Sequence, residues 1–469
     1  VTAATKRVAA VLLAVVLALQ LVAVLRGAKR DPHHDETEYL HAAWLMSKGE
    51  RLYTSFFEHH PPFLFGALSL IATDDIPAFY VRARLLSGAF ALIALGSLAA
   101  IVWRLRPEAA PIALAILLAS MPLWVNGLAA ARAEPFALAF FWGGAALVLL
   151  PRDSAVAAGV GLASIFIAAL WNPKWPLSSA IVFAFWLVRT RRRALSAAIA
   201  VTIAIPALLA LRLFATFDEL WFFVVEFNRA NYQWLGNRLE GWTGGGAPFY
   251  FAPHLLRWTM VVPAVVLAVL FVARKRIREA PLVLFVLSLV VASVLELRFV
   301  FPYPVLWSYY FLMYGFAAAA LVACAPFLLE WRIASNIVAV ALVLVVATNL
   351  IAVAPLESPH PGPYWTSTRY FASHLRAGDT LLVETKRHPV GARDASYYWF
   401  GFFNVIPSLR QTPRGARYLP PDDHPICAAR ARFISDPRRI LVPPDEQRCF
   451  ERLPKKPTPI GTVYEVLRQ

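Results

Sequence analysis

The sequence predicts an all-α polytopic membrane bundle with a small C-terminal soluble α/β domain. Three observations lead there. Hydrophobic residues make up 59% of the chain and charged residues only 16%, at a mean hydropathy of +0.57, whereas soluble globular chains are nearer half apolar and a quarter charged. Apolar windows of roughly 20 residues, the length that crosses a bilayer, recur along most of the chain. After Ala354 the composition turns polar and proline-rich. A transmembrane domain over 1–354 and a soluble domain over 355–469 follow.

In order, the windows are Val8–Leu25, Leu85–Trp103, Pro111–Val125, Pro135–Leu150, Ala155–Trp171, Pro176–Val188, Ala194–Phe214, Trp258–Ala273, Ala280–Leu295, Pro304–Phe327 and Ile333–Ala354. That is about eleven spans. The first reads as a retained anchor, because its apolar run is long and no small-residue cleavage site follows. Basic residues cluster between windows, as in RTRRR at Arg189–Arg193 and RKRIR at Arg274–Arg278, with Arg104, Arg106, Arg152 and Arg332 at other turns. These fall on the side of Lys6 and Arg7, which the positive-inside rule makes cytoplasmic. Arg26, Lys29 and Arg30 run against the rule locally, but the bias is set over several short loops. The expected setting is a plasma (inner) membrane, with the N-terminus cytoplasmic and the C-terminal domain extracytoplasmic.

The extracytoplasmic side then receives the first loop (26–84), the turns at Asn126–Glu134 and around Lys174, the loop Thr216–Arg257, and the turn Glu296–Tyr303. Within the first loop, Glu36, Leu40, Ala43, Trp44 and Met46 recur at helical spacing, so a short amphipathic helix is expected along the membrane surface. Pro61–Ala72 is apolar but too short to span, and reads as re-entrant or interfacial. In the tail, SPHPGPYW is a linker. Thr366–Leu375 suggests a helix, Gly378-Asp379 a turn, and Thr380–Glu384, Arg439–Val442 and Gly461–Leu467 strands.

A formal net charge of +16 would suit nucleic acid, but the basic residues sit where topology determinants sit. Membrane lipid headgroups and a phosphate-bearing lipid substrate are the expected partners, and nucleic acid is not. Cys324 lies in an apolar run. Cys427 and Cys449 fall in the polar tail, where a disulfide is plausible outside the cytoplasm and two unpaired thiols are the alternative.

The chemistry-bearing residues collect on the extracytoplasmic side. Asp35 and Glu36 stand in the first loop, Arg132 and Glu134 open the fourth window, Lys174 lies in WNPKWP, and Glu296 and Arg298 precede FVFPYPVLWSYYFL. Carboxylates suit proton abstraction from a hydroxyl; cations suit a phosphate that is bound or leaving. Sugar transfer from a lipid phosphate fits both. Each residue also has a plainer reading. Asp35 and Glu36 would cap a helix, Arg132 and Glu134 would pair with each other, and Lys174 would snorkel to the interface. Tyr309 and Tyr310 would belong to an aromatic belt or line a substrate groove. His33, His34, His59 and His60 match no standard metal spacing, so no metal or cofactor is expected.

Asp35-Glu36 followed by Tyr39, Gly49, Tyr53 and EHHPPF resembles the first-loop signature of GT-C type multispan glycosyltransferases, in the branch of the protein O-mannosyltransferases and the lipid A aminoarabinose transferases. RLLS at Arg84–Ser87, Arg132–Glu134, the Lys174 turn and the Tyr303–Leu312 string are similar in order and placement. The resemblance implies a polyprenyl-phosphate sugar donor and inverting transfer to an acceptor glycan, lipid or protein. It gives Asp35 the role of general base and Glu36 that of its partner. Glu134, Arg132, Lys174, Arg298, His60, Tyr309 and Tyr310 would bind substrate. Two positions depart from the pattern: Glu38 stands where an arginine is usual, and His60 where a lysine often precedes proline. The implied enzyme is a hexosyl- or pentosyltransferase.

Two other classes compete. A transporter of lipid-linked precursors would place charges or broken helices near mid-span in matching halves, and the windows carry almost none. A non-catalytic scaffold or partner subunit would concentrate its specific features in the tail, whereas here they crowd the first loop.

Overall fold

The computed structural model describes residues 34–105, 130–149, 154–231, 281–299, 363–376, 378–383, 388–397, 406–420, 431–435, 447–458 and 461–465, with scattered single positions elsewhere. The chain forms two compact units. One comprises Val1–Ala28, Arg84–Leu209 and Leu235–Leu356; the other comprises Lys29–Ala83, Ala210–Trp234 and Glu357–Gln469.

The described residues of the first unit form helices joined by short turns. Two helices, Ile76–Arg104 and Arg193–Leu213, are long and apolar enough to cross a membrane. Shorter apolar helices are Ala133–Leu149, Ala155–Trp171 and Pro176–Arg189, and a further helix runs Pro281–Phe299. The expected windows beginning at Leu85, Pro135, Ala155, Pro176, Ala194 and Ala280 fall on these helices. Those at 8–25, 111–125, 258–273, 304–327 and 333–354 lie wholly or largely outside the described residues, and the count of about eleven rests on them.

The helix expected from Leu85 begins at Ile76 instead. Asp75 Oδ1 accepts the Ala78 amide at 3.1 Å, so a side-chain cap starts the helix inside what reads as loop.

Small residues set the helix spacing here. A methyl carbon added to Gly144 would lie 2.5 Å from the Gly161 carbonyl oxygen, and one on Gly161 would lie 2.6 Å from that of Gly144. The helices Ala133–Leu149 and Ala155–Trp171 therefore touch backbone to backbone, a packing that only small residues permit. Beside the crossing, Phe136 stacks on Trp171 with centroids 4.6 Å apart.

In the second unit, five strands form a mixed sheet in the order β2-β1-β3-β5-β4. They are β1 (Thr380–Leu382), β2 (Arg393–Asp394), β3 (Ala431–Ser435), β4 (Lys455–Thr458) and β5 (Gly461–Glu465). β1 runs parallel to β2 and β3, while β5 is antiparallel to β3 and β4.

Alternation sends successive residues to opposite faces. Leu381, Phe433 and Val463 pack with Phe371 of helix Pro363–His374. Leu382, Ile434 and Tyr464 pack with Phe450, against Cys449 and Leu453. Both faces are covered, so these strands read as apolar runs rather than as alternating ones. Cys427 and Cys449 are joined in a disulfide. Of the strands read from sequence, Arg439–Val442 lies outside the described residues, while β2, β3 and β4 come from segments the pattern did not mark.

The first loop belongs to this second unit. Its helix, His34–Ser47, is rich in good helix formers and carries Asp35 and Glu36 in its first turn, where the helix dipole favours negative charge. It ends in a Schellman turn. Gly49 adopts φ 88°, its N–H reaches the Met46 carbonyl at 3.0 Å, and the Glu50 N–H reaches that of Leu45 at 3.1 Å. The helix is not a surface amphipath. Every residue from Glu36 to Leu45 is buried, polar ones included. Pro61–Ala72 contains the short helix Phe63–Ser69.

The helix crossing yields a direct test. Gly144→Leu is expected to lower the thermal midpoint in detergent, in line with an overpacking cost of about 1–3 kcal/mol. Gly143→Ala, whose added methyl would meet only Ser97 Oγ at 3.7 Å, is expected to leave the midpoint unchanged or raise it. Scanning fluorimetry on the two variants reads the difference.

Candidate active site

The first-loop helix presents four acids or near neighbours of acids in one turn: Asp35, Glu36, Thr37 and Glu38. Asp35 is half-buried, while Glu36 and Glu38 are buried. Thr37 accepts the Tyr80 hydroxyl at 3.2 Å. A buried carboxylate needs a partner or a proton, and for Glu38 the partners come from the end of the same loop.

There the string Glu58-His59-His60 precedes Pro61-Pro62, and prolines hold the preceding backbone away from helix. Glu58 Oε1 accepts the His59 amide at 2.7 Å, the His60 amide at 3.2 Å and His60 Nδ1 at 2.8 Å. Glu38 Oε1 lies 3.5 Å from His60 Nδ1. The Tyr53 hydroxyl donates to the His60 carbonyl at 2.5 Å, and Tyr53 itself stands at φ 64°, a left-handed conformation that side chains rarely adopt. It is held there by stacking on Phe223 at 4.7 Å and by the Tyr397 hydroxyl, which donates to its carbonyl at 2.7 Å.

Burial and charge sort the protons among these groups. Burial by itself would lower the pKa of His60, but hydrogen bonds and charge from Glu38 and Glu58 outweigh it and raise it to about 10. Burial would raise Glu58, yet its bonds to His59 and His60 bring it down to about 2. Glu38 is raised well above the carboxylate range by burial and by the Glu58 charge. His59 is lowered to about 4 by burial and by the His60 charge. At neutral pH the cluster holds an ion pair, Glu58⁻ and His60⁺, beside a neutral His59 and a Glu38 whose raised pKa favours its protonated form. His60 thus supplies a cation at the position where a lysine is usual. The four side chains also bring ligand-type atoms within 4.8 Å of one another, although their spacing in sequence matches no standard metal site.

In the first unit a second polar cluster forms where two helix ends meet. Glu134, in the first turn of helix Ala133–Leu149, accepts Arg132 Nε at 3.2 Å, Lys174 Nζ at 3.0 Å and Asn172 Nδ2 at 3.4 Å. Glu134 and Arg132 are buried, while Lys174 keeps part of its side chain accessible. Two cations around one carboxylate leave a net positive charge, which suits an anion. Glu296, on helix Pro281–Phe299, accepts the Ser178 amide and hydroxyl, each at 2.7 Å. It therefore caps the start of helix Pro176–Arg189 from a neighbouring helix.

The structure brings Asp35, Glu36 and His60 into one unit and Arg132, Glu134 and Lys174 together in the other. Arg298 lies on the last turn of helix Pro281–Phe299, and its side chain is outside the described residues, as are Tyr309 and Tyr310. Sequence reading gave no role to Glu58 or Asn172, and it grouped Glu296 with the chemistry-bearing carboxylates rather than as a helix cap. Glu58 had a signal: an acid directly before His-His-Pro-Pro, where stiff backbone keeps neighbouring side chains together.

No family model matches the sequence, and no curated protein matches it. Solved structures do share its fold. An ArnT from Cupriavidus metallidurans bound to undecaprenyl phosphate is 14% identical, covers 98% of both chains and gives a TM-score of 0.61. The apo ArnT from the same organism is 19% identical over 80% of this chain and 70% of its own, with a TM-score of 0.50. An oligosaccharyltransferase from Archaeoglobus fulgidus, in its apo form, is 13% identical over 97% of this chain and 74% of its own, with a TM-score of 0.51. The chain shares the fold of these two proteins, in keeping with the resemblance carried by the first-loop string.

The proton arrangement predicts an alkaline limit for the first loop. His60 has a raised pKa, so its stabilising contribution is complete below 6.5 and is lost as pH rises through about 10. Glu58 has a lowered pKa, so its contribution is complete above 4.5 and lost as pH falls through about 2. After correction for intrinsic base-catalysed exchange, the protection of amides 52–60 is expected to fall between pH 7 and 10 in the natural protein, and His60→Gln is expected to flatten that fall.

Proposed function

We infer that this chain is an integral-membrane glycosyltransferase that moves a sugar from a polyprenyl-phosphate donor to an acceptor on the extracytoplasmic face, with inversion. The observation that carries this reading is the half-buried Asp35 at the dipole-positive start of a buried helix, on a GT-C fold and in the same unit as a cationic His60. The disulfide in the C-terminal region supports an oxidising, extracytoplasmic side.

In this reading Asp35 is the general base. It takes the proton from the acceptor hydroxyl, whose oxygen attacks the anomeric carbon opposite the phosphate. The new carbon–oxygen bond forms as the bond to the phosphate oxygen breaks, and polyprenyl phosphate leaves with the electron pair. Glu36, buried beside Asp35 in sequence, fixes the helix start that aims it. His60, Lys174, Arg132 and Arg298 are the cations offered to the phosphate, whose developing charge such groups stabilise. Glu134 holds Arg132 and Lys174 in place and lies near the acceptor. Tyr309 and Tyr310 line the substrate groove. No metal or cofactor is required for the transfer. The transferred sugar is a hexose or pentose, and the acceptor an envelope glycan, lipid or protein.

The test is Asp35→Asn, which keeps shape and removes the base. Membrane insertion and the melting profile should match those of the natural protein. Release of polyprenyl phosphate and labelled product should fall by about 10²- to 10⁴-fold, the usual contribution of a positioned base. Transfer at the natural rate in a correctly folded Asp35→Asn protein would sink the mechanism.

A further inference from the structure

A second cluster of ligand-type side chains lies in the unit that contains the first loop, and the transfer chemistry does not use it. His41 sits in the middle of helix His34–Ser47, three residues past Glu38 and fully buried. His388 precedes β2, and Asp394 is the second residue of that edge strand. His388 is 1% exposed, and the Asp394 side chain 9%.

The geometry around them is specific. His41 Nδ1 lies 2.7 Å from the Val390 carbonyl oxygen. A carbonyl only accepts, so Nδ1 carries the proton and Nε2 is turned toward the carboxylate. Nε2 lies 2.6 Å from Asp394 Oδ2, and His388 Nε2 lies 2.8 Å from Oδ1 of the same carboxylate. The two imidazole rings are 4.4 Å apart, and all three residues bring a ligand-type atom within 4.8 Å of the others.

We propose that His41, His388 and Asp394 form a transition-metal site of the Zn²⁺ class, which clips the helix bearing Asp35 and Glu36 to the edge of the C-terminal sheet. Three chemical arguments support it. Two imidazole nitrogens and one carboxylate oxygen suit zinc, whereas calcium and magnesium take oxygen donors. The Val390 carbonyl on the far nitrogen of His41 is the outer contact that orients a metal-bound histidine. A carboxylate in a dry pocket between two imidazoles also needs a positive charge, and a divalent ion supplies it while leaving both rings neutral.

Tetrahedral zinc with bonds near 2.0–2.1 Å separates its ligand atoms by about 3.3 Å. Loading the site therefore spreads the observed 2.6 and 2.8 Å contacts by roughly half an ångström. The fourth position is left to water. The alternative occupant is a proton, held on one imidazole in a metal-free hydrogen-bonded triad.

The experiment uses the full chain, purified in detergent without chelator from zinc-supplemented cells, with zinc measured by elemental mass spectrometry and X-ray absorption. The natural protein should hold about one equivalent of zinc in a shell of nitrogen and oxygen with no sulfur. Chelation should lower its thermal midpoint, and added zinc chloride should restore it. His388→Ala and Asp394→Ala should each weaken zinc binding at least about tenfold, Asp394→Glu should recover part of it, and Glu58→Gln should retain it.

Absence of zinc from the natural protein, with no thermal response to zinc chloride, would overturn the proposal in favour of the proton-bridged triad. Zinc that survives His388→Ala but is lost in Glu58→Gln would overturn it by placing the ion in the other cluster. If the alanine variants fail to fold, the absorption spectrum and zinc-dependent midpoint of the natural protein still decide. These readouts do not involve sugar transfer, so they stand apart from the outcome of Asp35→Asn.

Discussion

A buried carboxylate and a partly buried imidazolium, Glu58 and His60, hold the first loop in shape. Neither charge is tolerable alone in that environment. Together they fix the backbone of the loop's end, because Glu58 also accepts the two amides that follow it. Burial, reinforced by the Glu58 charge, raises the pKa of Glu38, and burial, reinforced by the His60 charge, lowers that of His59 to about 4. The helix that carries Asp35 packs against this arrangement. An ion pair of this kind adds little net stability relative to an apolar core, yet leaving either member alone is costly. Its value is that it permits one arrangement and penalises the others.

The first unit solves a related problem with helix ends. Apolar helices supply no donors from their flanks, and several of its buried charges are met at helix termini. Glu134 gathers Arg132, Asn172 and Lys174 where two helices begin and end, and Glu296 caps a helix start across a helix boundary. Close helix contacts elsewhere in this unit rest on glycines that admit no side chain.

Much of this was legible in the sequence because it rests on period and composition. Apolar windows marked helices now described, and the acid pair at Asp35 and Glu36 marked a helix start. The pairing of Arg132 with Glu134 was among the readings offered for that string. What could not be read depended on distant partners. The first-loop helix looked amphipathic because polar residues such as Glu38 and His41 face protein groups rather than water, His60 at the end of the loop for one and Val390 and Asp394 for the other. The strands β2 and β3 escaped notice because one is two residues long and the other is covered on both faces, which removes the polar–apolar alternation. His388 and Asp394 stand in ordinary polar sequence, and only folding sets them beside His41.

That last separation shapes how the protein comes into being. The Val390 carbonyl that receives His41 lies 349 residues later in the chain. At a synthesis rate of roughly 5–20 residues per second, the helix bearing Asp35 waits on the order of 20–70 s for the segment that completes its surroundings. Contacts of such long sequence separation form late and slowly. The acid pair emerges from the ribosome some 349 residues before the segment that meets its helix, so a chain lacking that segment would carry the acids without the contact that holds their helix.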